Sequence, residues 1–405
     1  MRIFNSQFSI FKCQRLGRKI ALVVSVLLVL VLAVMLARQS KSLVRAQLAA
    51  PTSQLSNYLT NGLSNYSYAD GPRKFAFPAD SGPHNDFQTE WWYYTGNVQT
   101  PDGRHFGYQL TFFRRALVPP AERQPRSSDW AADQVYMAHF ALTDVAGKRF
   151  QSFERFERGA AGLAGAQASP FKVWLDDWSV EQVEPNVYRL RASQGDLALD
   201  LQLQDRKGPV LQGDQGYSQK GPDPGNASYY YSLTRLETSG TVRVGSATYQ
   251  VSGSSWMDHE WSTSYLTGDQ IGWDWFALQL DDNSELMVFQ IRKADGSVDP
   301  FASGTLVAPD GTTRRLTRDD FQITVGATWR SPRSGATYPA AWTIKIPSAN
   351  LMLDIKPYLA DQELNLSFTY WEGAVQIRGE RADRAVSGSG YIEMTGYAGS
   401  MGGQF

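Results

Sequence analysis

The sequence predicts an all-β protein built from two consecutive antiparallel β-barrels. Aromatic residues, which favour strands, make up 13% of the 405-residue chain and include 12 Trp. The 35 Gly and 19 Pro residues suit a chain with many turns. Short strand-like runs follow one another with turn signals between them, and closing such a meander into a barrel removes exposed sheet edges.

The overall composition is that of an ordinary folded protein. Hydrophobic residues make up 42% and charged residues 20%, and 39 basic residues are balanced by 40 acidic ones. This balance gives no electrostatic support for a nucleic-acid partner. The single cysteine, Cys13, precedes the folded body, which therefore has no internal disulfide and depends on its core for stability.

The N-terminal segment, residues 1–40, predicts a single-pass anchor in the inner membrane. Residues 20–37 form an apolar run interrupted only by Ser25, with five basic residues before it and three after it. A membrane span takes about 17–25 apolar residues, whereas the core of a signal peptide takes about 7–15. The basic excess before the run predicts a cytoplasmic N-terminus and a body in the periplasm or outside the cell. The alternative is a signal peptide cleaved near Ala49 and Ala50.

The first barrel is predicted to span residues 74–254, after a polar linker over residues 41–73. An aromatic strand at residues 90–98 and a returning strand at residues 106–114 flank a turn at residues 101–104, and this pattern predicts a β-hairpin. The further strands predicted in this half are 135–143, 172–175, 178–183, 187–192, 197–204, 229–237, 240–244 and 247–254.

The second barrel is predicted to span residues 255–405 and to repeat the plan of the first. Residues 272–280 form an aromatic strand, residues 281–284 an acidic turn, and the return strand ends in Arg292, as the first return strand ends in Arg114. This similarity predicts an internal duplication. The further strands predicted in this half are 302–308, 340–346, 351–357, 362–368, 373–378 and 385–394.

Residues 255–262 and 272–276 place ionisable side chains among tryptophans. The ionisable residues are Asp258, His259, Glu260 and Asp274, and the flanking rings are Trp256, Trp261, Trp273 and Trp275. A carboxylic acid surrounded by apolar rings resists ionisation, so its pKa rises and it can act as a general acid at neutral pH. The alternative is that the rings pack in half-buried strands while the charged groups face water.

Strand alternation limits which of these residues can share a pocket. In a regular strand Asp258 and Glu260 point to one face, and His259 and Trp261 point to the other. One pocket can therefore hold either pair but not all four residues.

Four long motifs mark the body of the chain. Residues 77–96 read FPADSGPHNDFQTEWWYYTG, residues 108–114 read YQLTFFR, residues 138–144 read AHFALTD and residues 256–261 read WMDHEW. From about Lys74 to the C-terminus they resemble the lipocalin-like family that includes the carotenoid 1,2-hydratases and the AttH-like secreted proteins, with the AttH-like branch the more similar. The resemblance implies two lipocalin-like barrels packed together, with a pocket at their junction.

The resemblance also implies chemistry that needs no metal or organic cofactor. The family's hydratases add water across an isolated carbon–carbon double bond, distant fungal relatives guide pericyclic reactions, and many bacterial members carry the label of predicted secreted hydrolases. The segments around Asp258 and Asp274 resemble those in which the hydratases place their proton donor. Because the motifs are closer to the AttH-like branch and an export segment is present, we expect a substrate other than a carotenoid.

A hydratase or isomerase needs a neutral acid that protonates the alkene and aromatic faces that stabilise the resulting cation. The predicted donors are Asp258 and Asp274, with His259 or Glu260 orienting or activating the water. The side chains predicted to contact the ligand are Trp92, Tyr94, Trp256, Trp261, Trp273, Trp275, Glu90, Arg114 and His84.

Other polar residues of the first barrel favour structural roles. We expect Glu90 and Arg114, on the two strands of the first hairpin, to form an ion pair that holds the register. His139 lies in an otherwise apolar strand, which is typical of a hydrogen-bonded core histidine. None of the four histidines is at ligand spacing from another, so no metal site is predicted.

The sequence leaves three roles open for a protein of this kind. An enzyme would have a dry site with at least one carboxylate that lacks a cationic partner. A carrier of a lipid or lipophilic metabolite, serving a membrane transport system, would have acids that are paired with Arg or face water. A scaffold of the cell envelope would have barrels filled by their own side chains.

Overall fold

The computed structural model describes residues 65–264 and 266–402, and this part of the chain is all-β, as predicted. It contains 23 strands and four short 3₁₀ helices, Ala79–Ser81, Pro120–Glu122, Arg318–Asp320 and Pro347–Ala349. None of the helices in these two ranges is long and apolar enough to cross a membrane. The anchor predicted at residues 20–37 lies outside the described residues.

The first sheet has 13 antiparallel strands. Their bounds are β1 Thr89–Gln99, β2 His105–Ala116, β3 Gln134–Asp144, β4 Arg149–Arg158, β5 Ala164–Ala168, β6 Phe171–Leu175, β7 Trp178–Glu184, β8 Val187–Gln194, β9 Leu197–Asp205, β10 Val210–Leu211, β11 Tyr217–Gln219, β12 Ala227–Val244 and β13 Ala247–Ser262. The order is β4-β3-β2-β1-β13-β12-β9-β8-β7-β6-β5, and β10 and β11 also pair with β12.

The two edge strands of this sheet are consecutive in the chain, and this connection requires the sheet to curl. β4 ends at Arg158 and β5 begins at Ala164, and six residues of extended chain reach about 20 Å at most. A flat sheet with the same 11-strand path would place its edges about 48 Å apart, at about 4.8 Å between strands. The sheet therefore bends until β4 and β5 approach each other, and it encloses a core.

The second sheet has ten antiparallel strands and curls for the same reason. Their bounds are β14 Gln270–Leu280, β15 Glu285–Lys293, β16 Ser303–Val307, β17 Thr313–Thr317, β18 Gln322–Arg330, β19 Thr337–Ile346, β20 Leu351–Pro357, β21 Glu363–Asn365, β22 Thr369–Arg381 and β23 Arg384–Met394. The order is β17-β16-β15-β14-β23-β22-β20-β19-β18, with β21 paired to β22. The 3₁₀ helix Arg318–Asp320 joins the edge strands β17 and β18.

The two sheets repeat one plan, as the predicted internal duplication requires. In each sheet the first strand lies near the centre and pairs with the last strand, β1 with β13 and β14 with β23. Arg114 and Arg292 occupy corresponding positions on the return strands of the two first hairpins. Residue 255, where the sequence places the domain junction, lies inside β13. The first sheet ends at Ser262 and the second begins at Gln270.

The sequence predicts a break between the strands 229–237 and 240–244, but β12 continues through it. The backbone of Gly240 has a φ of 146°, and a Cβ built there would lie 2.2 Å from the carbonyl oxygen of Asp200 on β9. Glycine thus allows the two strands to approach closely without ending either. The predicted strands 229–237 and 240–244 therefore form one strand of 18 residues.

Each curled sheet encloses its own apolar core, around Trp178 in the first and Trp342 in the second. A third apolar cluster joins the outer faces of the two sheets. Its largest members are Tyr93, Tyr230 and Trp256 of the first sheet and Trp275, Phe289 and Tyr391 of the second. The region between the sheets is therefore where side chains of both halves meet.

Candidate active site

A cavity of about 100 Å³ lies between the outer faces of the two sheets. Aromatic rings form much of its lining, and they include Trp91, Tyr93, Tyr230, Trp273, Trp275 and Phe289. The acidic side chains that face it are Asp258, Glu260, Glu372 and Glu393. An apolar enclosure with a few convergent polar groups is the usual form of a small-molecule site.

Strand alternation in β13 places Asp258 and Glu260 on the cavity side. His259 and Trp261 point the other way, into the interior of the first sheet, where neither side chain is exposed. Of the two pairs that the alternation allows, the structure therefore brings Asp258 and Glu260 to the cavity.

Asp258 is buried and accepts three hydrogen bonds. Trp256 Nε1 and Ser232 Oγ donate to its Oδ1 at 2.7 and 2.5 Å, and the Tyr230 hydroxyl donates to its Oδ2 at 2.7 Å. Burial raises the pKa of Asp258 to about 7, while the hydrogen bonds oppose this rise because they favour the carboxylate. Asp258 can therefore change its protonation state near neutral pH.

Glu260 differs from Asp258 because it has a cationic partner. The Nζ atom of Lys220 lies 2.9 Å from Glu260 Oε1, and Ser228 donates a hydrogen bond to the same oxygen. The Lys220 ammonium also lies over the ring of Phe289, 4.4 Å from the ring centroid. Glu260 and Lys220 together form a charged pair at the cavity wall.

Two glutamates of the second sheet complete the acidic set, and sequence reasoning missed both. Glu372 of β22 and Glu393 of β23 are direct cross-strand neighbours. Burial and the charge of Glu393 raise the pKa of Glu372 well above its ordinary value, and burial raises the pKa of Glu393 to about 7. Both groups are thus poised to hold a proton near neutral pH. The signal that could have found them is the one used for Asp258, because Glu372 follows Trp371 and Glu393 lies two residues after Tyr391.

One oxygen of Glu372 is left for a ligand. Glu372 is 1% exposed, and its Oε1 accepts a hydrogen bond from the Tyr93 hydroxyl. Its Oε2 has no hydrogen-bond partner among the described residues. A neutral carboxyl in this position can offer its O–H to a molecule in the cavity.

His259 belongs to a buried polar network inside the first sheet. Its Nε2 lies 2.8 Å from Oε1 of Glu90, and Nδ1 of His84 lies 2.8 Å from the same oxygen. Arg114 Nε donates to Glu90 Oε2 at 2.8 Å, so the predicted ion pair is confirmed. The His84 ring stacks on Trp261 with the centroids 3.6 Å apart. The network thus lies on the side of β13 that faces away from the cavity.

Within the described ranges, His84, Glu90 and His259 could hold a metal ion, since their ligand atoms lie within 4.8 Å of one another. Both Glu90 oxygens, however, already accept hydrogen bonds, and the Arg114 charge beside them disfavours a second cation. Burial opposes the ionisation of Glu90, but Arg114 and His84 hold its pKa below the ordinary value. The arrangement is therefore that of a satisfied ion-pair network.

Asp274, the second predicted donor, lies inside the second sheet and not at the cavity. Arg292 Nε donates to its Oδ1 at 3.1 Å, and Gln290 Nε2 donates to its Oδ2 at 2.9 Å. Burial raises the pKa of Asp274, although Arg292 opposes the rise. Alternation explains the position, because Trp273 and Trp275 on either side face the cavity.

The predicted ligand contacts divide between the two faces of the strands. Trp273 and Trp275 line the cavity, and Trp256 packs in the same cluster and donates its N–H to Asp258. The predicted contacts that lie in the interior of the first sheet instead are Trp92, Tyr94, Trp261, Glu90, Arg114 and His84.

Comparison with protein families and solved structures places the chain among related proteins. A family model described as AttH-like matches residues 68–397. The structure of an AttH protein from Nitrosomonas europaea is 38% identical and covers 82% of this chain and 99% of its own, with a TM-score of 0.72. Kievitone hydratase from Nectria haematococca covers 83% of this chain and 97% of its own with a TM-score of 0.61, and at 16% identity it shows the fold alone.

A curated relative is more distant. The dehydratase asqC of Emericella nidulans is 25% identical over 222 residues, which make up 51% of this chain and 60% of the fungal protein. This chain thus spans less than two thirds of that relative.

Proposed function

The chain belongs to the AttH-like family, and from this premise we propose that it is a hydratase or dehydratase of an apolar or amphiphilic small molecule, working without a cofactor. One observation carries the proposal. Asp258, Glu372 and Glu393 face an aromatic cavity, and no basic side chain of the described ranges forms an ion pair with any of them. The dehydratase named among the relatives supports this class of reaction.

Acids on opposite walls of the cavity have different roles in the proposed reaction. Neutral Glu372 donates its proton to one alkene carbon and forms a C–H bond, and the ring of Trp275 stabilises the cation on the other carbon. Water attacks that carbon, a C–O bond forms, and Asp258 takes the proton that the water loses. Dehydration is the same sequence in reverse.

The donor assigned here differs from the sequence-based choice of Asp258. Three hydrogen-bond donors point at the Asp258 oxygens and favour its carboxylate form. Glu372, in contrast, has a buried oxygen without a partner among the described residues and a pKa raised well above the ordinary value. Glu372 therefore suits the donor role, and Asp258 the acceptor role.

In the same proposal the ligand site lies between two barrels, and the body is anchored to a membrane. The two curled sheets act as lipocalin-like barrels, each of which encloses an apolar core, with Trp178 in the first and Trp342 in the second. The ligand binds at their junction instead of inside either barrel. The apolar run at residues 20–37 supports a single-pass inner-membrane anchor with the body in the periplasm or outside the cell.

Native mass spectrometry of the full chain, purified with whatever it binds, tests the function. The comparison uses the wild type, Glu372→Gln, Asp258→Asn and the control Asp274→Asn, whose carboxyl lies outside the cavity. We expect the wild type and the control to carry a species that differs by one water from the species in the two cavity variants.

Two results would contradict this expectation. One unchanged ligand in all four proteins would favour the alternative, a non-catalytic carrier of a lipid or lipophilic metabolite that works with a membrane transporter. The absence of any ligand would favour a scaffold role.

A further inference from the structure

A line of polar side chains runs from the protein surface to Glu372. The side chain of Glu154 on β4 is 14% exposed, and its Oε1 lies 3.0 Å from Nε2 of His139. The other ring nitrogen, Nδ1, lies 2.8 Å from the hydroxyl of Tyr370. Tyr370 and Glu372 line the same cavity, and the Tyr370 hydroxyl is one of the groups that lower the pKa of Glu372, so the two groups lie side by side. Solvent and the cavity acid are thus connected through three intervening side chains.

The line crosses from the first sheet to the second. His139 and Glu154 are cross-strand neighbours on β3 and β4, whereas Tyr370 and Glu372 are alternate residues of β22 and share a face. The Ser367 backbone N–H and hydroxyl donate to Glu154 at 3.2 and 2.5 Å, which ties the surface end to the second sheet. Both ends of the line are therefore held across the contact between the sheets.

His139 has the surroundings that a proton carrier needs. Its side chain is fully buried, and the rings of Phe113 and Phe368 lie 5.2 and 5.3 Å from its ring, measured between centroids. Burial lowers the pKa of His139, although Glu154 opposes this, so a neutral ring with one N–H and one lone pair is favoured. A hydrogen-bonded core histidine was predicted and is confirmed, but both of its nitrogens contact groups that can exchange a proton.

We propose that Glu154, His139 and Tyr370 form a proton path that reprotonates Glu372 after each turnover. This inference rests on the proposed function, in which hydration leaves Glu372 ionised on one wall and Asp258 protonated on the other. A path to solvent restores Glu372 without requiring the proton to return across a cavity that still holds the product.

The transfer balances with one proton moved at each link. Tyr370 gives its O–H proton to the Glu372 carboxylate, and the Nδ1–H proton of His139 passes to the Tyr370 oxygen. Burial raises the pKa of Glu154, but its hydrogen bonds with His139 and Ser367 hold that pKa below the ordinary value, so Glu154 is ionised at rest and first takes a proton from surface water. Nε2 of His139 then takes this proton from the Glu154 carboxyl. Neither Tyr370 nor His139 keeps a charge. The imidazole ends as its other tautomer and has to return to the Nδ1–H form before the next transfer. Asp258 releases its proton to water, as its pKa of about 7 allows.

Infrared spectroscopy of the full chain transferred to D₂O tests the path without a substrate. A protonated Glu372 gives a carboxyl C=O stretching band that Glu372→Gln removes, and the band shifts when deuterium replaces the proton. We expect Tyr370→Phe to slow this exchange by at least about tenfold, since it removes one hydrogen-bonded link. Glu154→Gln, at the surface end, should slow it as well and serves as the test if Tyr370→Phe does not fold.

Tyr93→Phe is the matched control, because the Tyr93 hydroxyl also bonds Glu372 but lies off the path. It should move the frequency of the band and leave the exchange rate unchanged. Equal rates in the wild type and Tyr370→Phe, with the band present in both, would overturn the path alone. A wild type without the band would overturn the neutral acid of the proposed function, and the path with it.

Discussion

Asp258 and Asp274 have similar neighbours in the sequence and different surroundings in the structure. Both are buried and flanked by tryptophans, and burial raises the pKa of each carboxyl. Asp274 is held by Arg292 inside the second sheet, whereas Asp258 faces the cavity and takes its hydrogen bonds from uncharged donors. Flanking rings therefore predict a raised pKa correctly, but they do not tell a cavity acid from a core acid.

The raised pKa of Asp258 makes its contribution to stability depend on pH. The folded-state pKa is about 7, against about 4 for an unfolded aspartate. Between about pH 4 and pH 7 the folded state therefore binds more protons than the unfolded state at this group, and its contribution to the free energy of unfolding falls as pH rises. The fall is at most about 1.4 kcal/mol per pH unit.

The comparison with Asp258→Asn isolates this effect from other titrating groups. We expect the free energy of unfolding of the wild type, minus that of the variant, to be larger at about pH 5 than at about pH 8. Urea unfolding followed by tryptophan fluorescence measures both values. A difference that stays constant or grows with pH would contradict the raised pKa.

At the scale of elements, β13 serves both polar sites of the first half. One face carries Asp258 and Glu260 to the cavity, and the other carries His259 and Trp261 to the network around Glu90. The strand is held on both sides, by β1 over its full C-terminal half and by β12. Because side chains alternate strictly along a paired strand, its register fixes both sites at once.

The close approach of the paired strands β12 and β9 at Gly240 gives a prediction for a single element. Gly240→Ala would place a Cβ 2.2 Å from the Asp200 carbonyl oxygen at a φ of 146°. We expect a loss of about 2 kcal/mol or more in the free energy of unfolding, because the added methyl group would overlap the Asp200 carbonyl oxygen unless the backbone of β12 or β9 moves. Chemical denaturation measures the loss.

Gly326→Ala in β18 is the matched control. The nearest atom to a Cβ built there is the Ala341 Cβ at 3.7 Å, which is ordinary contact. We expect its effect to stay below about 1 kcal/mol. Equal losses in the two variants would show that the close approach at Gly240 does not matter.

At the scale of the whole molecule, a buried ion cluster joins the two sheets. Glu285 of β15 is fully buried, and Lys207, which follows β9, lies 2.9 Å from its Oε2. Arg235 of β12 donates to the other oxygen of the same carboxylate. A single carboxylate from the second sheet thus pairs with two cations from the first.

Removal of the Glu285 charge should be costly. We expect Glu285→Gln to lower the free energy of unfolding by about 3 kcal/mol or more, since two largely buried cations lose their counterion. The control Glu237→Gln breaks an exposed pair with Arg206, for which we expect less than about 1 kcal/mol. Urea titrations of both variants measure the two losses. A Glu285→Gln variant as stable as the control would show that this cluster does not help to hold the two sheets together.

The sequence by itself determined the all-β class, the hairpins at residues 90–114 and 272–292 and the repeat of one plan in two halves. It also determined that Asp258 and His259 point to opposite faces of their strand. These features depend on alternation and turn chemistry within a few residues. Strands such as β4 and β18 were not predicted, because the charged sequence of β4 and the largely exposed sequence of β18 become strands only through pairing with a neighbour.

Only the tertiary structure decided which face of β13 lines a cavity and which acids share it. Glu372 and Glu393 come from more than 100 residues beyond Asp258 in the chain, and they reach it because the outer faces of two curled sheets pack together. Local periodicity fixes how neighbouring side chains point relative to one another. Which side meets another sheet, and which buried group finds a cation there, depends on contacts between residues far apart in the chain, and local pattern carries no information about those contacts.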